Sequence, residues 1–224
     1  MSVTIKICGL STPDALDAAL DAGADFVGFV FFAASPRHVG LDTARQLGAR
    51  TRGRVGKVAL SVDADDDALA AIVDALRPDL LQLHGSETPD RVVAVKQRFR
   101  LPIMKALPVA EASDLGAISA YETIADRLLF DARPPRDASR PGGLGRRFDW
   151  RLLQRVETRV PFMLSGGLDA GNVAEALAIS RASGVDVSSG VERSPGEKDP
   201  DKIRAFIRAA RAAAGVGREI ASPV

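Results

Sequence analysis

An α/β fold closed into a single-domain (β/α)8 barrel of eight parallel strands is predicted by three observations. Short β-rich apolar runs alternate with longer segments of helical period along the 224 residues. Each pair occupies about 20 to 35 residues, the scale of a β-α unit. Several runs are almost continuously apolar, as in FVGFVF and RLLFD, which suits parallel strands covered on both faces. The units are also near-equal and no linker divides them, which favours closure over the alternative, a doubly wound open sheet.

The eight runs are Thr4–Cys8, Phe26–Phe31, Val55–Ser61, Leu80–His84, Pro102–Ala106, Arg127–Asp131, Pro161–Ser165 and Val185–Ser188. Between the first two, Thr12 can cap a helix, Pro13 suits its first turn and Gly23 suits the position past its end. Leu16, Ala19 and Leu20 form its inner stripe. Leu41–Gly48 supplies the second helix. The third opens on Asp65-Asp66-Asp67, which complements the helix dipole, and places Leu69, Ile72, Val73 and Leu76 at i, i+3, i+4, i+7. Pro89–Phe99, Ser113–Glu122, Asp149–Val156 and Asn172–Ile179 follow, and Ile203, Phe206, Ile207 and Ala210 repeat the helical spacing in the last. The barrel is expected over residues 1–214, with 215–224 as a loosely held C-terminal tail.

The totals narrow the class of protein. Charge is balanced, 30 Lys+Arg against 29 Asp+Glu, so no global field favours nucleic acid or an anionic membrane. One cysteine rules out an intramolecular disulfide and a multi-cysteine zinc site, and fits a reducing compartment. No apolar run approaches the roughly 20 residues that span a bilayer, and Lys6 interrupts an N-terminal stretch unlike a secretory signal. A cytoplasmic protein with a small-molecule partner is expected, as monomer or homodimer, without nucleic-acid or membrane partners.

Barrels of this kind carry their chemistry at the C-terminal ends of the strands. The polar residues there are Cys8, Ser35-Pro36-Arg37, Asp63, His84, Lys105, Asp131, Ser165-Gly166-Gly167 and Ser188-Ser189-Gly190. Taken alone, Cys8 reads as packing, because free cysteine is among the most buried residue types. Its place at a strand's end also suits a nucleophile or a base. The small loops after strands seven and eight, with Gly166, Gly167, Ser188, Ser189 and Gly190, fit phosphate binding through backbone N–H groups. In a closed barrel that site lies between Cys8 on strand one and Asp131 on strand six. A sugar phosphate held there would extend between a thiol and a carboxyl able to act as acid and base. Arg37, beyond Cys8, suits bidentate pairing with a second anionic group. The plainer readings are an arginine salt bridge for Asp131 and a solvated loop charge for Arg37.

The loop 132–147 is the longest break in the pattern, with five arginines (Arg133, Arg136, Arg140, Arg146, Arg147) before and after Gly142-Gly143-Leu144-Gly145. It reads either as a cover that steers an anionic substrate or as a basic insertion. His84 is expected to shape the turn after strand four rather than transfer protons. With His38 the only other histidine and no ligand spacing, no metal site is expected.

Seven segments occur in an order that identifies a family: KICGL at Lys6–Leu10, SPRHV at Ser35–Val39, QLHG at Gln82–Gly85, Phe130-Asp131, GGLGRRFDW at Gly142–Trp150, LSGGLDAGNV at Leu164–Val173 and GVDVSSGVERSPGEKD at Gly184–Asp199. Over nearly its whole length the chain resembles the phosphoribosylanthranilate isomerases of tryptophan biosynthesis. The resemblance implies an Amadori rearrangement of N-(5-phosphoribosyl)anthranilate to 1-(2-carboxyphenylamino)-1-deoxyribulose 5-phosphate. It implies Asp131 as general acid on the furanose ring oxygen, Cys8 as general base at C2, and Arg37 near the anthranilate carboxylate. It also implies phosphate binding by the two glycine-containing loops, and no metal or organic cofactor. Ser165 and Ala170 depart from the alanine and proline more usual in the family. Isomerases of the histidine pathway resemble this chain less, because they carry aspartate where Cys8 stands. A non-catalytic phosphosugar-binding barrel would lack Cys8 or Asp131, and a thiol redox sensor would need a resolving cysteine.

Overall fold

The computed structural model describes residues 3–135, 137–138 and 141–219. Eight parallel strands close into a barrel in sequence order, the last pairing with the first. They are β1 (Thr4–Cys8), β2 (Phe26–Phe31), β3 (Gly56–Ser61), β4 (Leu80–Leu83), β5 (Ile103–Val109), β6 (Arg127–Ala132), β7 (Phe162–Leu164) and β8 (Gly184–Val187). The first four helices are α1 (Pro13–Asp21), α2 (Leu41–Arg50), α3 (Asp66–Leu76) and α4 (Pro89–Phe99). Their starts follow the expected chemistry: Thr12 accepts from the Ala15 N–H at 3.4 Å and Asp65 from the Ala68 N–H at 2.8 Å.

Two connections are shorter than the sequence predicts. Ala112–Ala117 is a 3-10 turn, leaving α5 only Ile118–Tyr121. Ser113, Asp114 and Gly116 are weak helix formers that favour turns, and Asp114 closes a capping box with Glu111. Between β6 and β7, Trp150–Leu153 makes one 3-10 turn rather than a helix over Asp149–Val156. Here Trp150 and Leu153 bury against the barrel without further turns. Beyond β7 lies α6 (Val173–Ser180). After β8 a 3-10 turn, Ser189–Val191, leads to two antiparallel strands, β9 (Glu192–Ser194) and β10 (Glu197–Lys198). Pro195-Gly196 turns between them, with Gly196 at φ 90°. The last helix, α7 (Pro200–Glu219), continues into the stretch expected as a loose tail, and 220–224 lie outside the described residues.

Two apolar layers hold the barrel. Val58, Leu80, Met104, Ala106, Leu129 and Met163 fill its interior. The larger layer, including Ile5, Ile7, Phe29, Phe130 and Phe206, joins the strands' outer faces to the helices. Because successive strand residues face opposite ways, Lys6 and Cys8 share the inward face of β1. Leu129 with Asp131, and Met163 with Ser165, follow the same rule. Each pair carries its chemistry at the upper, C-terminal position. Among the described residues, no helix is long and apolar enough to cross a membrane.

Candidate active site

A cavity of about 790 Å³, open to solvent, lies at the C-terminal ends of the strands. Cys8, Arg37, Asp131, Gly166, Gly167, Ser188 and Ser189 all line it. Gly190 does not; its α-carbon packs against the Leu168 carbonyl. Asp63 and Lys105 are turned elsewhere: Asp63 accepts from the Ser86 N–H at 2.7 Å, and Lys105 pairs with Glu87 at 2.9 Å.

Cys8 is 4% exposed, between Val30 and Leu60. Its carbonyl accepts from Ser188 Oγ at 3.2 Å, tying β1 to the loop after β8. Burial pushes the thiol's pKa up, and the Asp186 carboxylate adds to this, while the ammonium groups of Lys6 and Lys198 oppose it. Lys6 is itself wholly buried and pairs with Asp186 at 2.9 Å. Burial would lower its pKa, but Asp186 and Cys8 together hold it above the ordinary lysine value.

Asp131 is not bridged to an arginine among the described residues. Its Oδ1 accepts from the Ala132 N–H at 2.9 Å, and its Oδ2 lies 3.3 Å from His84 Nε2. His84 does shape the turn, donating its backbone N–H to Ser61 O at 2.9 Å. Its ring also reaches the cavity. Gln82 Nε2 lies 2.8 Å from His84 Nδ1, so the ring is held with its Nε2 facing Asp131.

Arg37 is buried rather than a solvated loop charge. Its Nε and Nη2 donate to the two carboxylate oxygens of Glu192 at 2.7 and 2.8 Å. Nη2 also donates to the Gly143 carbonyl at 3.1 Å. The edge expected to clamp a ligand in bidentate fashion is therefore already engaged. Nη1 has no hydrogen-bond partner among the described residues and lies against Gly143. Lys198 shares Glu192 at 2.7 Å and donates to Ser188 O at 2.8 Å. Burial lowers its pKa to about 8 against the pull of Glu192. For Glu192 the balance runs the other way: burial would raise its pKa, but Arg37 and Lys198 hold it low.

Past β6, residues 141–146 lie along the cavity mouth. A Cβ on Gly142 would stand 2.7 Å from both Asp131 Oδ2 and His84 Nε2, so the backbone rests directly on these side chains. Arg147 fastens the segment's far end, donating to Gly167 O at 3.0 Å and to Asp169 Oδ2 at 3.1 Å. Arg136 and Arg140 lie outside the described residues. The arrangement can hold an anion at the loops after β7 and β8, with a thiol and a carboxyl on either side.

Residues 5–209 match the family model described as N-(5'phosphoribosyl)anthranilate (PRA) isomerase. An N-(5'-phosphoribosyl)anthranilate isomerase of Rhodopseudomonas palustris is 64% identical over 213 residues, covering 95% of this chain and all (100%) of the relative. The chain belongs to this family. It is an isomerase of tryptophan biosynthesis. A phosphoribosylanthranilate isomerase from Thermotoga maritima superposes with a TM-score of 0.84 at 33% identity, over 94% of this chain and 99% of that one. A second structure of the family, in complex with reduced 1-(o-carboxyphenylamino)-1-deoxyribulose 5-phosphate, gives a TM-score of 0.79 at 30% identity, with the same coverage of 94% and 99%.

Four charged residues in or behind the cavity wall escape a reading of strand ends alone: Lys6, Asp186, Glu192 and Lys198. The signal for the first two is a charge inside an apolar strand, IKI and VDV. Burial there demands a partner. Glu192 and Lys198 lie past the last strand, in a hairpin the periodicity does not reveal.

Proposed function

We propose that the cavity carries out the Amadori rearrangement of N-(5-phosphoribosyl)anthranilate, with Asp131 as general acid and Cys8 as general base. The observation that carries this reading is that Cys8 on β1 and Asp131 on β6 line one cavity, with the loops after β7 and β8 between them in barrel order. Gly166, Gly167, Ser188 and Ser189 then hold the phosphate, leaving the ribose between thiol and carboxyl. Asp131 protonates the ring oxygen as the C1–O bond breaks, and the nitrogen lone pair forms a protonated imine. Cys8 removes the C2 proton, which the adjacent imine makes acidic. The resulting enolamine gains a proton at C1 and loses the C2 hydroxyl proton, giving the ketone. Arg37 receives the anthranilate carboxylate through Nη1. A lone free cysteine used in this way fits the reducing cytoplasm.

The test is consumption of phosphoribosylanthranilate, generated in situ and followed by loss of its fluorescence. The purified protein is expected to consume it. Cys8→Ala and Asp131→Asn are each expected to lose roughly 10²–10⁴-fold in kcat, the usual worth of a positioned acid or base, while still binding a phosphorylated product analogue. Near-normal turnover in either variant overturns that residue's assignment.

A further inference from the structure

Lys6 occupies a place where a charge is costly. It is 0% exposed, inside the apolar strand β1, and its Nζ donates to Asp186 Oδ1 at 2.9 Å. Asp186 is its direct neighbour in the β1–β8 register. A buried ion pair of this kind is a poor stabilising device, since desolvation offsets most of the attraction and apolar replacements often do as well. The pair has a third member. Lys6 and Cys8 stand two residues apart on one strand face, and the Lys6 ammonium and the Cys8 sulfur converge on the same point above Gly28.

Gly28 supplies the room for that contact. It is the register partner of Cys8 on β2. A Cβ there would lie 3.0 Å from Cys8 Sγ and 3.0 Å from Lys6 Nζ. Its φ is not in the left-handed region, so the backbone does not require glycine, and a methyl group there would crowd the thiol and the lysine tip by a few tenths of an ångström. The charged groups facing the thiol are Lys6 from β1, Asp186 from β8 and Lys198 from β10. From β2 and β3 the neighbours are Gly28, Val30 and Leu60, none of which titrates.

We propose that Lys6, held by Asp186 and given room by Gly28, is the positioning residue that stabilises the thiolate form of Cys8. This rests on the reading of Cys8 as the base. In that step the thiolate takes the C2 proton and becomes a thiol. The C2–H electron pair forms the C1–C2 double bond, and the imine pair returns to nitrogen. Lys6 keeps its protons throughout and acts through charge. Asp186 makes the ammonium tolerable in the barrel interior, at the cost of some repulsion toward the thiolate.

Cys8 is the chain's single cysteine, so ultraviolet thiolate absorbance titrates this group alone. The double variant Lys6→Met/Asp186→Asn removes both charges and leaves neither orphaned. Its thiol is expected to titrate higher, by the lost lysine attraction less the Asp186 repulsion removed with it, which lowers the thiolate fraction near neutrality severalfold. Its kcat should fall by about the same factor, with the rising limb of the kcat–pH profile displaced equally and KM little changed. Gly28→Ala keeps every charge and places a methyl group against the lysine tip. It should shift the titration in the same direction by less, and it reads the contact even if the double variant fails to fold. An unchanged thiol titration in Gly28→Ala, or in a folded double variant, overturns the proposal. Cys8→Ala separates the two readings: near-normal turnover there overturns Cys8 as the base, whereas an inactive Cys8→Ala beside an unshifted titration overturns only the role of Lys6.

Discussion

Arg37 enters the cavity with one edge of its guanidinium already committed to Glu192. That pairing fixes a side chain which would otherwise sweep a wide arc, and it neutralises a charge at 4% exposure. Glu192 also faces Lys198, so one carboxylate restrains two cations on the same wall. Replacing it by glutamine would keep the shape and remove the anion. Charge-assisted hydrogen bonds contribute about 1.5–3 kcal/mol each, so Glu192→Gln is expected to raise KM roughly tenfold or more. The kcat should change much less, since neither Cys8 nor Asp131 touches this pair among the described hydrogen bonds. Steady-state kinetics decide it. An unchanged KM would mean that Arg37 keeps its pose without Glu192. At this scale the sequence places Cys8 and Asp131 at strand ends and Arg37 in the loop after β2, and all three line the one cavity. It does not reveal that Arg37 arrives paired, because its partner lies far along the chain, at |i−j| = 155.

Among the elements, the strands were legible and the fifth and sixth connections were not. A parallel strand buried on both faces must be apolar along its length, and β2 and β6 show this in nearly every residue. The fifth and sixth connections depend on tertiary support. Their residues face a barrel that covers them after one or two turns, so periodicity overstates their length. Past β6, residues 141–146 line the same cavity as Cys8 and Asp131. Gly142 rests on Asp131 and His84, and any side chain there must shift either the segment or these two side chains. Gly142→Val is expected to lower kcat/KM at least about tenfold, the cost of displacing a positioned group. Thermal stability should fall by no more than about 0.5–3 kcal/mol, the ordinary range for a single substitution. A variant that melts normally and turns over normally would show that this contact is dispensable.

For the whole molecule, closure is what makes the chemistry. The Lys6–Asp186 pair joins residues at |i−j| = 180 across the seam between the last strand and the first, and no local pattern could announce it. Only the count of eight units, which implies closure, places the two strands side by side. The same geometry concentrates charge on a molecule with 30 basic against 29 acidic side chains. Among the described residues, Arg133 pairs with Glu111 and Asp114, and Arg147 pairs with Asp169. Arg146, exposed on the cavity wall, has no ion-pair partner among them. A near-neutral protein gives little long-range steering, so any attraction for a doubly anionic substrate must come from the mouth itself. Screening acts over about 8–10 Å at 0.1–0.15 M salt, comparable with the reach of such a local charge. The kcat/KM is therefore expected to fall as salt rises, with kcat nearly constant. Arg146→Glu should lower kcat/KM severalfold at low salt and flatten or invert that dependence. Stopped-flow or steady-state rates across a salt series measure both, and an identical salt slope in the variant would move the steering charge elsewhere on the rim.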